Sequence, residues 1–243
     1  MLSISNLKVS VSGKEILHGV NLEIPEGETW TMFGPNGSGK TTLMMAISGM
    51  PGYSVTSGGI TFLGKDITKL AMDGRAKLGI GTGFQQPPEI TGVKLRDMIR
   101  ICSGKGPKED LSKDERKLVE KLRLSEFLDR DINAGFSGGE KKRAEILQLL
   151  FMKPKLLLLD EPDSGVDIES LRLIAGEVQN YIEKSGASAL IITHQGEVLD
   201  YLKSEKGCVM VDGRIHCIKN PKQVLDEIRT VGYQKCIACH KMA

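Results

Sequence analysis

The sequence lacks an excess of charge of either sign. Among its 243 residues, 33 Lys and Arg are balanced by 31 Asp and Glu, so the formal net charge is only +2. Aromatic residues are also scarce, at 5% of the chain. Proteins that bind nucleic acid or an anionic membrane usually carry a basic excess, and base stacking needs aromatic rings. The composition therefore disfavours both kinds of partner.

The chain also lacks a long apolar run and a targeting segment. No stretch approaches the roughly 20 residues that cross a bilayer, and residues 1–6 contain no basic region leading into an apolar core. The five cysteines are odd in number and mostly far apart, which is typical of a reducing compartment rather than of a disulfide framework. We therefore expect a soluble, cytoplasmic protein with no direct membrane insertion.

What the chain does contain is a phosphate-binding loop between an apolar strand pattern and an apolar helix pattern. The pattern G-x-x-x-x-G-K-[ST] is met at every fixed position. With the threonine that follows, the loop comprises Gly34, Pro35, Asn36, Gly37, Ser38, Gly39, Lys40, Thr41 and Thr42. Glycines let backbone N–H groups surround a phosphate, and the helix directs its positive end at the same anion. A Gly-rich turn without a ligand is the alternative, but the context favours a nucleoside triphosphate.

Apolar patterns predict an α/β fold around this loop. Residues 2–33 read as strands and turns, and residues 54–67 as a further hairpin around Ser57-Gly58-Gly59. Residues 156–159 and 189–193 are continuous apolar runs, as expected of parallel strands buried on both faces. Between these runs and the first strands, residues 93–151 have a helical pattern, and Ser112 with Glu115 fits a capping box at a helix start. The sequence therefore predicts a β-rich layer, a parallel core sheet and an inserted helical lobe.

Polar side chains follow three of the predicted strands. Asp160 and Glu161 come directly after the leucine run, His194 follows the next apolar run, and Gln85 ends an earlier strand. The carboxyl ends of parallel strands are where α/β sheets place ligands. Asp160 suits Mg²⁺ and Glu161 can orient an attacking water. The alternatives are a simple helix cap for the acidic pair and an ordinary surface position for His194.

A second Gly-rich turn opens a helix at Ser137, Gly138, Gly139 and Glu140. Bare amides and a hydroxyl at a helix N-terminus make an anion site, although the phosphate-binding loop already has one. A second subunit that completes the site would explain the duplication, and an ordinary capped helix start is the simpler alternative. The basic run Lys141-Lys142-Arg143 is expected to be a solvated helix face.

Taken in their order along the chain, the motifs resemble those of an ATP-binding-cassette ATPase over essentially the whole chain. The resemblance implies the following roles: Walker A for Gly34 to Thr42, the Q-loop for Gln85, the signature for Ser137 to Glu140, Walker B for Asp160 and Glu161, the D-loop for Ser164 to Asp167, and the switch histidine for His194. ATP and Mg²⁺ are the implied cofactors. Thr41, Gln85 and Asp160 would hold the metal, and Glu161, His194 and Gln85 would be catalytic.

The family's architecture implies a P-loop NTPase with a RecA-like core sheet, an N-terminal antiparallel β layer and an inserted helical subdomain. Residues 1–85 and 154–243 would form the catalytic core with its β subdomain, and residues 86–153 the helical subdomain, within one domain. The family's dimers hold ATP between one subunit's Walker A and the other's signature. This implies an ATP-dependent homodimer contact.

A finer resemblance is to the SufC group of cassette ATPases, which serve iron–sulfur cluster assembly. It is carried by residues 135–143, by residues 163–168 and by the segment after Phe84. Transporter cassettes usually have Gln in place of Lys142 and Thr in place of Asp163. The resemblance implies a SufB-like partner, sometimes with a SufD-like one. The alternatives are the ATP-binding subunit of a membrane transporter, a DNA-repair ATPase head, which the short helical lobe disfavours, and a non-hydrolysing regulatory binder.

The end of the chain carries the pattern C-x-x-C-H at Cys236, Cys239 and His240. Two thiolates and an imidazole could hold a metal or an iron–sulfur species with a further ligand from another chain. A reduced, disordered tail and a redox or haem role are the alternatives, since short motifs arise easily by chance.

Overall fold

A computed structural model describes residues 1–233 of the chain. Tyr233 is its last described residue, so the tail motif at Cys236, Cys239 and His240 lies outside the described residues.

Within residues 1–233 the chain forms twelve strands, seven α-helices and two short 3-10 helices, Ser125–Phe127 and Glu197–Asp200. The strands are β1 (Leu2–Val11), β2 (Lys14–Ile24), β3 (Thr29–Phe33), β4 (Tyr53–Phe62), β5 (Lys65–Asp66), β6 (Ile80–Gly83), β7 (Ile90–Lys94), β8 (Asp131–Ile132), β9 (Leu156–Asp160), β10 (Ser188–Ile192), β11 (Lys206–Val211) and β12 (Arg214–Lys219). The helices are α1 (Lys40–Ser48), α2 (Met72–Leu78), α3 (Leu95–Cys102), α4 (Lys113–Lys121), α5 (Gly138–Phe151), α6 (Ile168–Ser185) and α7 (Pro221–Val231).

The central sheet has the strand order β12-β11-β3-β10-β9-β6. Its neighbouring strands run parallel except for the antiparallel pair β11–β12. A second, antiparallel sheet, β2-β1-β4-β5, comes from the N-terminal part of the chain. The expected fold class, with a core sheet, an N-terminal antiparallel layer and helices, is confirmed.

The core lies on both faces of the central sheet. Successive strand residues point to opposite faces, and in β9 Leu156 and Leu158 join one apolar cluster while Leu157 and Leu159 join the other. The first cluster includes α1 and the antiparallel sheet, and the second includes α3, α5 and α6. A strand buried on both faces needs apolar residues at every position, which explains the continuous leucine run.

The inserted region is not purely helical. It contains α3, α4 and α5, but β7 and β8 also pair there as a small antiparallel sheet. Helix α4 begins at a capping box in which Ser112 and Glu115 bond each other's backbone N–H groups, as the S-x-x-E pattern predicts. The division into residues 86–153 and a surrounding catalytic core stays a prediction.

The expected hairpin within residues 54–67 is present as β4 and β5, but the expected position of its turn, Ser57-Gly58-Gly59, is wrong. Strand β4 runs unbroken through these residues and turns back only at Leu63-Gly64 into β5. Gly58 instead lies where the register against β1 shifts, with φ of +79°. A Cβ at this position would lie 2.3 Å from the backbone oxygen of Asn6. The glycine therefore permits a β-bulge, which from sequence alone resembles a turn.

Because of this close approach, we expect Gly58→Ala to destabilise the protein more than Gly64→Ala does. Gly64 has a similar φ of +75°, but a Cβ there would meet nothing within 4 Å. We expect Gly58→Ala to lower the free energy of unfolding by roughly 2–4 kcal/mol, because left-handed strain and a backbone clash add together. Gly64→Ala should cost only about 1 kcal/mol. Urea unfolding of both variants measures the difference. Equal midpoints of unfolding for the two variants would contradict the claim that the bulge requires glycine at position 58.

Candidate active site

The phosphate-binding loop connects β3, which is buried at every position, to α1. A Cβ at Gly34 would lie 2.2 Å from the carbonyl oxygen of Met210, so only glycine fits against β11 at this point. Gly39 has φ of +106° immediately before the helix. The loop is thus held tightly between the core sheet and the helix, with the N-terminus of α1 at its end.

Lys40 is buried inside its own loop. Its ammonium donates hydrogen bonds to the carbonyl oxygens of Gly34 at 2.8 Å and Pro35 at 3.0 Å. Burial lowers the pKa of Lys40, while the nearby carboxylates of Glu161 and Asp160 act in the opposite direction. The cation is therefore poised beside the loop and next to two acidic groups.

Asp160 ends β9 and is 2% exposed. Its Oδ2 accepts a hydrogen bond from the Thr41 hydroxyl at 2.9 Å. Its Oδ1 is buried and has no hydrogen-bond partner among the described residues. Burial raises the pKa of Asp160, and the negative charge of Glu161 raises it further. A buried carboxylate oxygen without a partner, beside a threonine hydroxyl, has the chemistry of a Mg²⁺ ligand set.

Glu161 brings together the predicted catalytic side chains. Its Oε2 accepts a hydrogen bond from Gln85 Nε2 at 2.7 Å, and its Oε1 lies 2.8 Å from His194 Nε2. Its backbone is in the left-handed region with φ of +49°, and its N–H donates to the carbonyl oxygen of Ile192 at 2.9 Å. Non-glycine residues rarely adopt this conformation, and those that do are concentrated at functional sites.

The phosphate-binding loop and the polar side chains around it lie at the carboxyl ends of four adjacent strands. In the order β3-β10-β9-β6, the carboxyl ends are followed by the phosphate-binding loop, His194, the pair Asp160–Glu161, and Gln85. Parallel strands place their carboxyl ends at one edge of a sheet, which explains how residues far apart in sequence meet. The Gln85 amide is directed at Glu161, and its role as a metal ligand stays a prediction.

The signature residues contact a different part of the chain. Ser137 caps α5 in a capping box with Glu140, whose side chain accepts from the Ser137 N–H at 2.7 Å. A Cβ at Gly138 would lie 2.7 Å from the Gly165 oxygen, and one at Gly139 would lie 2.5 Å from Ser170 Oγ. Among the described residues this turn therefore packs against the D-loop and the start of α6, while the Walker residues meet elsewhere.

The expected solvated basic face on α5 is wrong for two of its three residues. Lys142 and Arg143 are buried, at 4% and 9% exposure. Arg143 donates to the carbonyl oxygen of Leu122 at 2.8 Å, and Lys142 donates to the carbonyl oxygen of Phe84. Buried cations need such acceptors because water cannot solvate them. Lys141 alone is half-buried and pairs with Glu89 at 2.7 Å.

Sequence reasoning missed a buried contact that supports the His194 loop. Asp163, 6% exposed, accepts a hydrogen bond from the Thr193 hydroxyl at 2.6 Å. The same hydroxyl accepts from the Gly196 N–H at 2.9 Å. The backbone on both sides of His194 is thus tied to the segment after Walker B. The unusual Asp163 was visible in the sequence, but its partner was not.

We expect Asp163→Ala to lower the free energy of unfolding by about 2–3 kcal/mol, because it leaves the Thr193 hydroxyl buried without its charged acceptor. Asp73→Ala is the matched control, since this exposed carboxylate pairs with Lys77 at 3.1 Å on the surface of α2. Its cost should stay within about 0.5 kcal/mol. Denaturant unfolding of both variants measures the difference, and a loss at Asp163 no larger than at Asp73 would contradict the buried contact.

Comparison with known proteins identifies the family. The family model described as ABC transporter matches residues 17–164, more than half of the chain. A probable ABC transporter ATP-binding protein of Streptococcus pyogenes serotype M3 is 45% identical over 223 residues, covering 88% of this chain and 87% of that protein. The probable ATP-dependent transporter ycf16 of Cyanidium caldarium is 44% identical over 225 residues, covering 88% of each.

A solved structure has the same fold. It is a dimeric ATP-binding cassette in a post-hydrolysis state, bound to ADP and Pi. It is 25% identical, with a TM-score of 0.75, over 91% of this chain and 99% of that one. Together with the family model and the sequence relatives, this likeness establishes that the chain belongs to the ATP-binding cassette family of P-loop ATPases.

Proposed function

We propose that the protein is a Mg²⁺-dependent ATP hydrolase whose general base is Glu161. The observation that carries the proposal is the Glu161 carboxylate, held between Gln85 and His194 beside the Walker A loop. Phosphoryl transfer to water needs little covalent help from the protein, so positioning and electrostatics provide most of the catalysis. The site contains groups suited to both tasks.

Each residue has a distinct part. Lys40 and the loop N–H groups bind the β- and γ-phosphates and balance their charge. Glu161 accepts a hydrogen bond from the attacking water and takes its proton as the water oxygen bonds to the γ-phosphorus. The bond from that phosphorus to the β–γ bridging oxygen breaks, and ADP leaves with its electron pair. His194 hydrogen-bonds a γ-phosphate oxygen, and Gln85 fixes the carboxylate so that it faces the water. The contact between Gln85 and Glu161 supports this assignment.

Thr41 and Asp160 fit a magnesium ion. In the part of the chain that the structure describes, the buried Oδ1 of Asp160 has no hydrogen-bond partner, and the Thr41 hydroxyl contacts the other oxygen of the same carboxylate. These two groups are hard oxygen ligands, and the amide oxygen of Gln85 is the proposed third. When bound, Mg²⁺ neutralises charge on the phosphate oxygens as a Lewis acid. Within residues 1–233 no group of three or more His, Cys, Asp or Glu residues is arranged to hold a metal.

The ATP site is proposed to be completed by a second copy of the chain. The capped helix start at Ser137-Gly138-Gly139 offers backbone amides at a positive helix end, yet it packs beside the D-loop rather than over its own phosphate-binding loop. The dimeric form of the related cassette bound to ADP and Pi supports this arrangement. Two ATP molecules would then lie between Walker A of one copy and the signature of the other.

Glu161→Gln should bind ATP but hydrolyse it about a hundredfold more slowly, because the amide keeps the shape of the side chain and loses its basicity. The uncleaved nucleotide should hold two chains together. Phosphate release and sedimentation of the same sample measure the two effects.

Glu183→Gln is the matched control, since this exposed glutamate near the end of α6 contacts surface partners in its own region: it accepts a hydrogen bond from Gln179 at 2.8 Å and lies 3.6 Å from Lys203. It should behave like the wild type in both measurements. Near-wild-type turnover of Glu161→Gln would remove Glu161 from the mechanism.

The finer proposal is that ATP-driven dimerisation changes the shape of a SufB-like, and in some complexes SufD-like, scaffold in iron–sulfur cluster assembly. The departures from transporter cassettes support it. Lys142 and Asp163 are buried and make specific contacts around Phe84 and Thr193. Both residues therefore contribute to the packing around the site and are not substitutions on the protein surface. The segment after Gln85 is the proposed docking surface for the scaffold.

A transporter's ATP-binding subunit is the second candidate, and the names of the relatives favour it. None of the helices in the described part of the chain is long and apolar enough to cross a bilayer. In the transporter role the chain would bind a membrane-spanning partner protein, and the identity of the partner distinguishes the two candidates.

The tagged protein, captured from native extract in ATP without oxygen, should co-purify with a SufB-like chain that mass spectrometry identifies. The same capture from a detergent-solubilised membrane fraction serves as the comparison. Recovery of a polytopic membrane protein instead would make the transporter role correct.

A further inference from the structure

The main chain of Phe84, the residue just before Gln85, is held by two side chains of α5. The N–H of Phe84 donates a hydrogen bond to Glu145 Oε1 at 2.6 Å. The carbonyl oxygen of the same residue accepts a hydrogen bond from the Lys142 ammonium. Lys142 and Glu145 lie one helical turn apart and also pair with each other at 3.4 Å. Both polar groups of the Phe84 main chain are therefore hydrogen-bonded to side chains of α5.

These side chains replace a missing strand partner. Strand β6 is at the edge of the central sheet, and its last register pair joins Gly83 to Leu159. Phe84 lies just beyond this ladder, where its backbone groups need other partners. Glu145 supplies the acceptor and Lys142 the donor. The direction in which the chain leaves the sheet toward Gln85 is thus set by α5.

The pair is buried. The side chains of Lys142 and Glu145 are 6% and 12% exposed. Burial raises the pKa of Glu145, and the charge of Lys142 opposes the rise. Placing such a pair inside a protein costs desolvation energy that a well-packed apolar pair would avoid. Its contacts point to a positional role, since each group bonds a main-chain atom that apolar side chains would leave unpaired.

The segment beyond Gln85 is held to the same region of the protein. Lys141 pairs with Glu89 at 2.7 Å, and Asn133, shortly before α5, donates to the carbonyl oxygen of Pro88 at 2.7 Å. The chain is therefore held on both sides of Gln85, at Phe84 before it and at Pro88 and Glu89 after it. Its amide in turn contacts Glu161 at 2.7 Å.

We propose that Glu145 and Lys142 are positioning residues for Gln85, which act through the main chain of Phe84 to keep the Gln85 amide against Glu161. The proposal rests on the hydrolytic function proposed above. The position of the Gln85 amide beside Glu161 would then depend on α5, the helix whose N-cap is Ser137. Neither residue touches the reacting atoms.

Glu145→Leu keeps the volume of the side chain but cannot accept the Phe84 N–H. We expect it to lower kcat between about tenfold and a hundredfold, the cost of a small misplacement at a reacting centre. KM for ATP should change little, because the Walker A loop still binds the nucleotide. Glu145→Gln retains an acceptor oxygen and should lose less activity.

The control is Glu177→Leu, which removes a carboxylate that pairs with Lys121 at 2.9 Å between α4 and α6. It should leave kcat unchanged.

A double-mutant cycle with Gln85→Ala separates positioning from a purely structural role. If Glu145 acts through Gln85, then Glu145→Leu should change kcat little once Gln85 is already Ala. If Glu145 only stabilises the fold, the same fold-loss should appear in both backgrounds. Should Glu145→Leu fail to fold, Glu145→Ser takes its place in the cycle.

Equal kcat for the wild type and Glu145→Leu, in a protein that Glu161→Gln inactivates, would overturn the positioning proposal and leave the hydrolytic function standing. An equal fold-loss with and without Gln85 would also overturn it. A wild type that releases no phosphate from ATP would instead remove the proposed function itself.

Discussion

The site depends on one constraint, the left-handed backbone of Glu161 at the end of a buried strand. A residue with φ of +49° turns the chain sharply as it leaves β9. This turn leaves Asp160 inside the sheet edge against Thr41 and brings the next carboxylate outward between Gln85 and His194. Two adjacent acidic residues thus acquire different surroundings, as different roles require. The rest of the fold holds this turn in place.

Burial of charge around the turn is costly, and the fold offsets the cost with specific partners. Lys40 bonds the carbonyl oxygens of its own loop, and Asp163 bonds Thr193. Lys142 and Glu145 share the two polar atoms of Phe84. Groups of this kind contribute less to stability than apolar residues of similar size would. Asp163, Lys142 and Glu145 instead fix the backbone next to His194 and Gln85, two of the proposed catalytic residues.

Much of this architecture follows from the sequence, and the limits have physical causes. A continuous apolar run, glycine spacing and a capping box identify β9, the phosphate-binding loop and α4 correctly, because neighbouring residues determine them. The bulge at Gly58 was mistaken for a turn, since a positive φ serves both. The contacts of Lys142 and Glu145 with Phe84 could not be predicted, because they join positions about 60 residues apart through main-chain atoms.

The central claim is a hydrolytic site built from two copies of the chain, and the most direct test is the specific rate of phosphate release from Mg²⁺–ATP as the concentration of purified protein rises. Sedimentation of the same samples reports the fraction of dimer. The account predicts that the rate per chain increases together with that fraction and falls to background when Mg²⁺ is chelated. A rate per chain that stays constant while monomer becomes dimer, or no release at any concentration, would contradict it.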